Sequence, residues 1–234
     1  MREKGLEIRG QQPVDSVGVW SNFRREDVAS SQIAGRKLGP DPVAPLESSA
    51  VPHSHWTLLE SRQVADHRIF SIRLDRYRLD KDGQECDFVV LDAPDWVNVI
   101  AVTDDDQVVL VRQYRHGVRD VSLEAPGGVI DPGESPAVAA LRELREETGY
   151  LGEEATLLGD VWPNPAIQNN RCFTFLSRNV CRVGDPQPDP QERITVELHP
   201  MAAIPQLLSQ GAIRNGLIIA AFALLGVTPS GAGN

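Results

Sequence analysis

The chain has 234 residues, of which 41% are hydrophobic and 24% charged, which suits one ordinary globular domain plus additional segments. Its formal net charge of −10 argues against general affinity for nucleic acid, whose phosphates it would repel. Cys86, Cys172 and Cys181 show no paired spacing, which excludes a disulfide framework and a zinc motif and fits a reducing cytoplasm.

Residues 1–52 are rich in Ser, Pro, Gly and mixed charge, and Gly39-Pro40-Asp41-Pro42-Val43-Ala44-Pro45 cannot hold a helix or a central strand. They are expected to form a disordered leader, and the polar, charged start from Met1 to Gly10 lacks the pattern of a secretory signal. From His55 onward short strands are expected. Trp56–Glu60 is one, and Phe70–Tyr77 is a second, with apolar and polar residues alternating. Asp80-Lys81-Asp82-Gly83 makes a turn, and Cys86–Leu91 returns, giving a small antiparallel sheet over 53–95. Val97–Thr103 and Val108–Arg112 form a second hairpin around Asp104, Asp105 and Asp106, which read as a solvated turn rather than a metal site.

A helix is predicted over 136–148. Ser135 suits the N-cap, Pro136 the first helical position, and Gly149 a left-handed C-terminal cap. Ala137, Leu141, Leu144 and Thr148 recur at helical steps and are expected to face the core. Glu143, Glu146 and Glu147 share another face, with Glu134 just upstream. These carboxylates repel one another, and they crowd the last turns, where the helix dipole disfavours negative charge. A run of acid is most often a solvated face. Here the flanking glycines and Arg142 favour a divalent cation lodged among oxygen ligands, Mg²⁺ or else Mn²⁺. Further on, Asn169, Asn170 and Arg171 lead into an apolar strand, Cys172–Leu176. The apolar run Leu217–Val227 is too short for the roughly 20 residues of a bilayer span and reads as a buried C-terminal helix, followed by a flexible tail over 229–234.

Gly128, Glu134, Arg142, Glu143, Glu146, Glu147 and Gly149 stand at the spacing G-x5-E-x7-R-E-U-x-E-E-x-G-U, with U bulky and apolar. Each residue type makes up roughly 6% of average composition, so seven fixed positions coincide on the order of 10⁻⁹ per start point. The spacing resembles the Nudix box, with Tyr150 in place of the usual aliphatic residue. Val109-Leu110-Val111-Arg112-Gln113-Tyr114-Arg115, Leu123-Glu124-Ala125-Pro126-Gly127-Gly128 and Pro163-Asn164-Pro165 extend the resemblance to the ADP-ribose pyrophosphatase branch.

The resemblance implies an α/β fold: an α/β/α sandwich with a mixed sheet over 96–228, preceded by the small antiparallel sheet, the whole domain covering 53–228. It implies a homodimer formed through that first sheet. The Gly127 carbonyl would join Glu143 and Glu147 as metal ligands, with Glu146 and Glu134 completing or tuning the shell. Arg142 would hold a glutamate in place, a task that suits a planar fork. Glu124 would contact substrate or support the metal shell, and Arg112 or Arg115 would meet phosphate or the terminal ribose. Trp96 is open to two readings, stacking on a base or packing in the core, and the same holds for Trp162. Tyr114 is equally a packed aromatic or a ligand contact.

The branch carries a general-base glutamate four residues before an Ile-x-Val strand. Here that position, ahead of Ile194, holds Pro190. The proton acceptor then falls to Asp189 or Glu192 beside it, or to Glu146 or Glu147 on the helix. The implied reaction is Mg²⁺-dependent hydrolysis of the diphosphate of a nucleoside diphosphate sugar, ADP-ribose first, into a nucleoside monophosphate and a sugar phosphate. A GDP- or UDP-sugar substrate, or a non-catalytic nucleotide-binding regulator, are the alternatives. No nucleic-acid or membrane partner is expected.

Overall fold

A computed structural model describes residues 55–187 and 193–231. The expected leader over 1–52, the end of the tail, and Asp189, Pro190 and Glu192 lie outside the described residues.

The chain begins with an antiparallel sheet of β1 (Trp56–Asp66), β2 (Ser71–Leu79) and β3 (Glu85–Asp92) in that order. Gly83, at φ +76°, turns β2 into β3. β1 runs beyond the predicted Glu60 to Asp66, because pairing with β2 carries the polar Ser61–Gln63 along it, with register shifts after Leu58 and Gln63.

The main sheet has the strand order β12-β5-β4-β10-β9. Its members are β4 (Trp96–Val102), β5 (Gln107–Arg115), β9 (Thr156–Val161), β10 (Cys172–Arg178) and β12 (Ile194–Pro200). β10 runs parallel to β4 and β5 antiparallel to it, so the sheet is mixed as expected. β4 and β5 pair only where Ala101 and Val102 meet Val109 and Val108. Beyond that point the two strands diverge. β6 (Asp120–Glu124) continues the sheet along β5, and β7 (Gly127–Val129) along β4. This split in the sheet leaves a cleft.

Alternation along the central strands serves two cores. Val97, Val99, Ala101 and Val109 pack on α1 (Pro136–Thr148) through Ala139, Ala140 and Leu144. Ile100, Val102, Val108 and Leu110 pack on α2 (Ile204–Ser209) and α3 (Gly216–Leu224) through Ile204, Leu208, Ile218 and Phe222. Each fully buried side chain of this size contributes roughly 1.5–3 kcal/mol of transfer free energy. A two-stranded ladder of β8 (Tyr150–Leu151) and β11 (Cys181–Arg182) flanks the end of α1.

α1 has its predicted limits. Ser135 Oγ accepts a hydrogen bond from the Val138 N–H, and Gly149, at φ 73°, donates its N–H to the Arg145 carbonyl. Its buried face is rotated from the expected one. Ala139, Ala140, Leu144 and Thr148 are buried together with Glu147, whereas Ala137 and Leu141 are only half-buried. The small Ala139–Ala140 pair lets the helix lie close on the sheet, and this turns Glu147 inward. α3 also departs from expectation. It ends at Leu224 and buries one face, leaving Ile219 and Leu224 exposed, because a wholly apolar run carries no signal for which side meets the sheet. Among the described residues no helix is long and apolar enough to cross a membrane.

Candidate functional site

The site is assembled on the Gly127-Gly128 pair of β7. Gly127 lies opposite Asn98 of β4, and a Cβ there would run into the Val97 carbonyl oxygen. A Cβ on Gly128 would run into the Glu143 carboxylate. Close approach of strand to strand therefore requires glycine at 127, whereas a side chain at 128 would displace the Glu143 carboxylate from its place over β7. The Gly127 N–H donates to Glu147 Oε2 at 2.9 Å, and Glu147 is only 3% exposed. Glu143 and Glu147, one helical turn apart, thus both bear on the glycine pair.

Arg142 binds the box together. Its Nε and Nη2 donate to the two Glu134 oxygens, each at 2.9 Å. Its Nη1 donates to Glu143 Oε1 at 2.9 Å and Glu146 Oε2 at 3.1 Å, and Nη2 also reaches the Val129 carbonyl at 3.0 Å. This is the planar fork used to its full extent. Glu134 foremost, then Glu143 and Glu146, hold the guanidinium even more firmly protonated than usual, against the effect of burial. In return Arg142 depresses the Glu134 carboxyl, against partial burial and helped by the Asp131 N–H.

On β6, Glu124 is 2% exposed. Burial is the largest influence on its carboxyl and pushes it up, yet Arg115, Ser122 and Asn215 together outweigh it and hold the group below its ordinary value. Arg115 grips it with two bonds, Nε to Oε1 at 3.0 Å and Nη2 to Oε2 at 2.7 Å. Asn215 is also the N-cap of α3, its side chain accepting from the Leu217 N–H.

The split between β4 and β5 opens as a cleft of about 490 Å³. Ile69, Phe70, Leu91 and Trp96 are among its apolar lining residues, and Arg115, Glu124 and Asn215, which interact with one another, are among its polar ones. Asn98, Cys172, Gly127 and Gly128 line it as well.

Of the residues singled out from sequence, Gly127, Glu143, Glu147, Arg142, Glu124, Arg115 and Trp96 converge on this region. Glu146 lies at its margin, half-exposed and held by Arg142. Arg112 stands elsewhere. It pairs with Glu197 of β12, which His199 also approaches at 3.0 Å. A three-residue offset along a strand sends Arg112 and Arg115 to opposite faces, and Arg112 shares the side of Val108 and Leu110. Trp162 is 68% exposed and Tyr114 is exposed beside His116. Asn169 and Asn170 tie down Ala93 and Pro94, and Arg171 pairs with Asp160. These bonds fasten the link between the two sheets and so fix Trp96, whose N–H donates to the Arg171 carbonyl. The aspartates of the 104–106 turn are exposed, with Asp106 at φ 61°.

Asn98 and Asn215 line the cleft too, although no motif in the sequence marks them. Asn215 carried an available signal, an Asn before an apolar helical run. Asn98 carried a weaker one, a lone amide in an apolar strand.

Among the described residues no three His, Cys, Asp or Glu side chains converge within metal-binding range. Arg142 draws in Glu143 and Glu146, and the Gly127 N–H holds Glu147. The donor chemistry nonetheless fits a hard divalent cation: the donors are oxygens only, set on one helix face against a glycine pair that leaves no room for side chains.

The NUDIX domain model matches residues 94–222. The ADP-ribose pyrophosphatase of Bacillus subtilis (strain 168) is 32% identical over 126 residues, 52% of this chain and 68% of that protein. The ADP-ribose pyrophosphatase of Mycobacterium tuberculosis (strain ATCC 25618 / H37Rv) is 29% identical over 164 residues, 69% of this chain and 79% of that protein. A crystal structure of an ADP compounds hydrolase superposes with a TM-score of 0.66 at 24% identity, covering 73% of this chain and 92% of that one, a likeness of fold.

Proposed function

The chain belongs to the NUDIX family, and from that premise we propose that it is a hydrolase of the ADP-ribose pyrophosphatase type. It cleaves the diphosphate of a nucleoside diphosphate sugar, ADP-ribose first, and releases a nucleoside monophosphate and a sugar phosphate. One observation carries this reading: the Glu143–Glu147 pair, docked on Gly127-Gly128, borders a cleft lined both by apolar side chains, Trp96 and Phe70 among them, and by Arg115.

The apolar lining, with Trp96 and Phe70, takes the base, and Arg115 meets phosphate oxygens. Glu143, Glu147 and the Gly127 carbonyl would hold Mg²⁺, or Mn²⁺, which when bound neutralises diphosphate charge and lowers the pKa of the attacking water. Arg142 keeps the carboxylates from splaying and holds Glu143 against β7. The proton acceptor must reach the water within about 3 Å, directly or through one water. Glu146, Glu147, Asp189 and Glu192 are the candidates. Leu58, Val64, Phe88 and Val89 are exposed on the first sheet and support a homodimer formed through it. The three cysteines are free, in keeping with a cytoplasmic setting.

The test is product analysis on ADP-ribose, with GDP- and UDP-sugars in parallel, with and without Mg²⁺. AMP and ribose phosphate released only with metal are the expected outcome. Preferred turnover of a GDP- or UDP-sugar would replace the substrate, and binding without turnover of any diphosphate would overturn the reading.

A further inference from the structure

The proposed reaction uses the glutamates, Arg142 and Arg115 but gives no part to the amide of Asn98. β4 is otherwise apolar, and Asn98 is 8% exposed in the middle of the main sheet while lining the cleft. A buried amide there costs stability unless it is well hydrogen-bonded. Among the described residues its side-chain bond is from Nδ2 to the Cys172 sulfur, at 3.3 Å. Sulfur is a weak acceptor, so that contact recovers little of the cost. Asn98 Oδ1 points toward Gly127, 2.9 Å from where a Cβ would sit on that residue.

Position narrows what the amide meets. Trp96 lies two residues earlier on the same strand face, about 6–7 Å away. Gly127 lies directly across, and Arg115 and Glu124 line the same cleft. The portion of a nucleotide that joins base to diphosphate is the ribose. A phosphate oxygen only accepts hydrogen bonds, whereas a sugar hydroxyl both donates and accepts, as an amide does. We infer that Asn98 is a specificity-determining residue that hydrogen-bonds the hydroxyls of the nucleoside ribose. The inference rests on the cleft being the nucleotide site.

Steady-state kinetics on ADP-ribose and its 2′-deoxy- and 3′-deoxyadenosine analogues test it. For the wild type, kcat/KM should fall about 10- to 100-fold on at least one deoxy analogue. Asn98→Val should raise KM for ADP-ribose by a similar factor, with the loss in KM rather than kcat, and should no longer discriminate the deoxy analogue. Its Tm should equal or exceed that of the wild type, since the variant removes a poorly bonded buried amide. A merely structural role would give the reverse, a lowered Tm with discrimination intact. Wild-type enzyme that turns over all three substrates alike overturns the inference without any variant. Asn98→Ser, which keeps a donor and an acceptor, serves if the Val variant does not fold, and is expected to retain part of the discrimination. No turnover of ADP-ribose by the wild type would instead count against the proposed function. Calorimetric binding of AMP against 2′- and 3′-deoxy-AMP then decides the role of Asn98, equal affinities overturning it.

Discussion

Replacing Arg142 by Lys keeps the charge and removes the fork. Arg142 donates five hydrogen bonds, to Glu134 twice, to Glu143, to Glu146 and to the Val129 carbonyl. A single ammonium nitrogen cannot span the Glu134 carboxylate and Glu143 at once, so about two of the five survive. Hydrogen bonds to charged groups contribute about 1.5–3 kcal/mol each. The Arg142 side chain is 26% exposed and that of Glu146 47%, so solvent screening reduces the loss to about 2–4 kcal/mol. For a domain of this size that is roughly 5–15 °C in Tm. Arg142→Ala should cost more, because the Glu134, Glu143 and Glu146 carboxylates then repel one another with no cation between them. Turnover should fall with stability, on the order of tenfold or more for the Lys variant, since Glu143 loses the group that holds it over Gly128. Scanning calorimetry and steady-state kinetics on the same preparations measure both. A Lys variant that unfolds within a degree of the wild type and keeps full kcat would refute the account of Arg142 as the clamp of the box.

Three further outcomes are expected. Glu147→Gln should leave the Tm nearly unchanged, because an amide oxygen still accepts from the Gly127 N–H, yet cut kcat by at least about a hundredfold; undiminished turnover would remove Glu147 from the ligand set. Gly127→Ala drives a Cβ into the Val97 carbonyl and should cost about 1–3 kcal/mol as β7 shifts off β4, read by urea unfolding, whereas wild-type stability would show that β7 has room to yield. The Glu197 carboxyl is held at about 2, from an ordinary value of 4.5, chiefly by Arg112 and also by His199, against the opposing effect of burial. A carboxyl depressed on folding stabilises the fold above the unfolded pKa and loses that contribution as pH falls from 4.5 toward 2. Glu197→Gln should therefore cost no more than about 1 kcal/mol at pH ~7, the Arg112 side chain being 42% exposed and so screened by solvent, and progressively less at pH ~3; an equal cost at both pH values would contradict the pairing with Arg112.

The limits of α1 could be read directly because their causes are local. Ser135 and Gly149 act on backbone groups within a few residues, and the spacing of Glu143 and Glu147 places both on one helix face in any fold. The strands with clear alternation and the oxygen-only character of the box were legible for the same reason. The facing of α1 was not, since Ala139 and Ala140 meet the sheet only once β4, β5 and β10 have assembled. Arg112 and Arg115 show the boundary most clearly. A period of two puts them on opposite faces of β5, but which face opens on the cleft depends on β5 parting from β4 and pairing with β6 and β12. Asn98, Gly127 and Cys172 span 74 positions of the chain between the first and the last, and no local pattern marks them as neighbours. Short-range hydrogen bonds and helical periodicity specified the box; only long-range strand pairing, which depends on side chains distant in sequence, decided what the box faces.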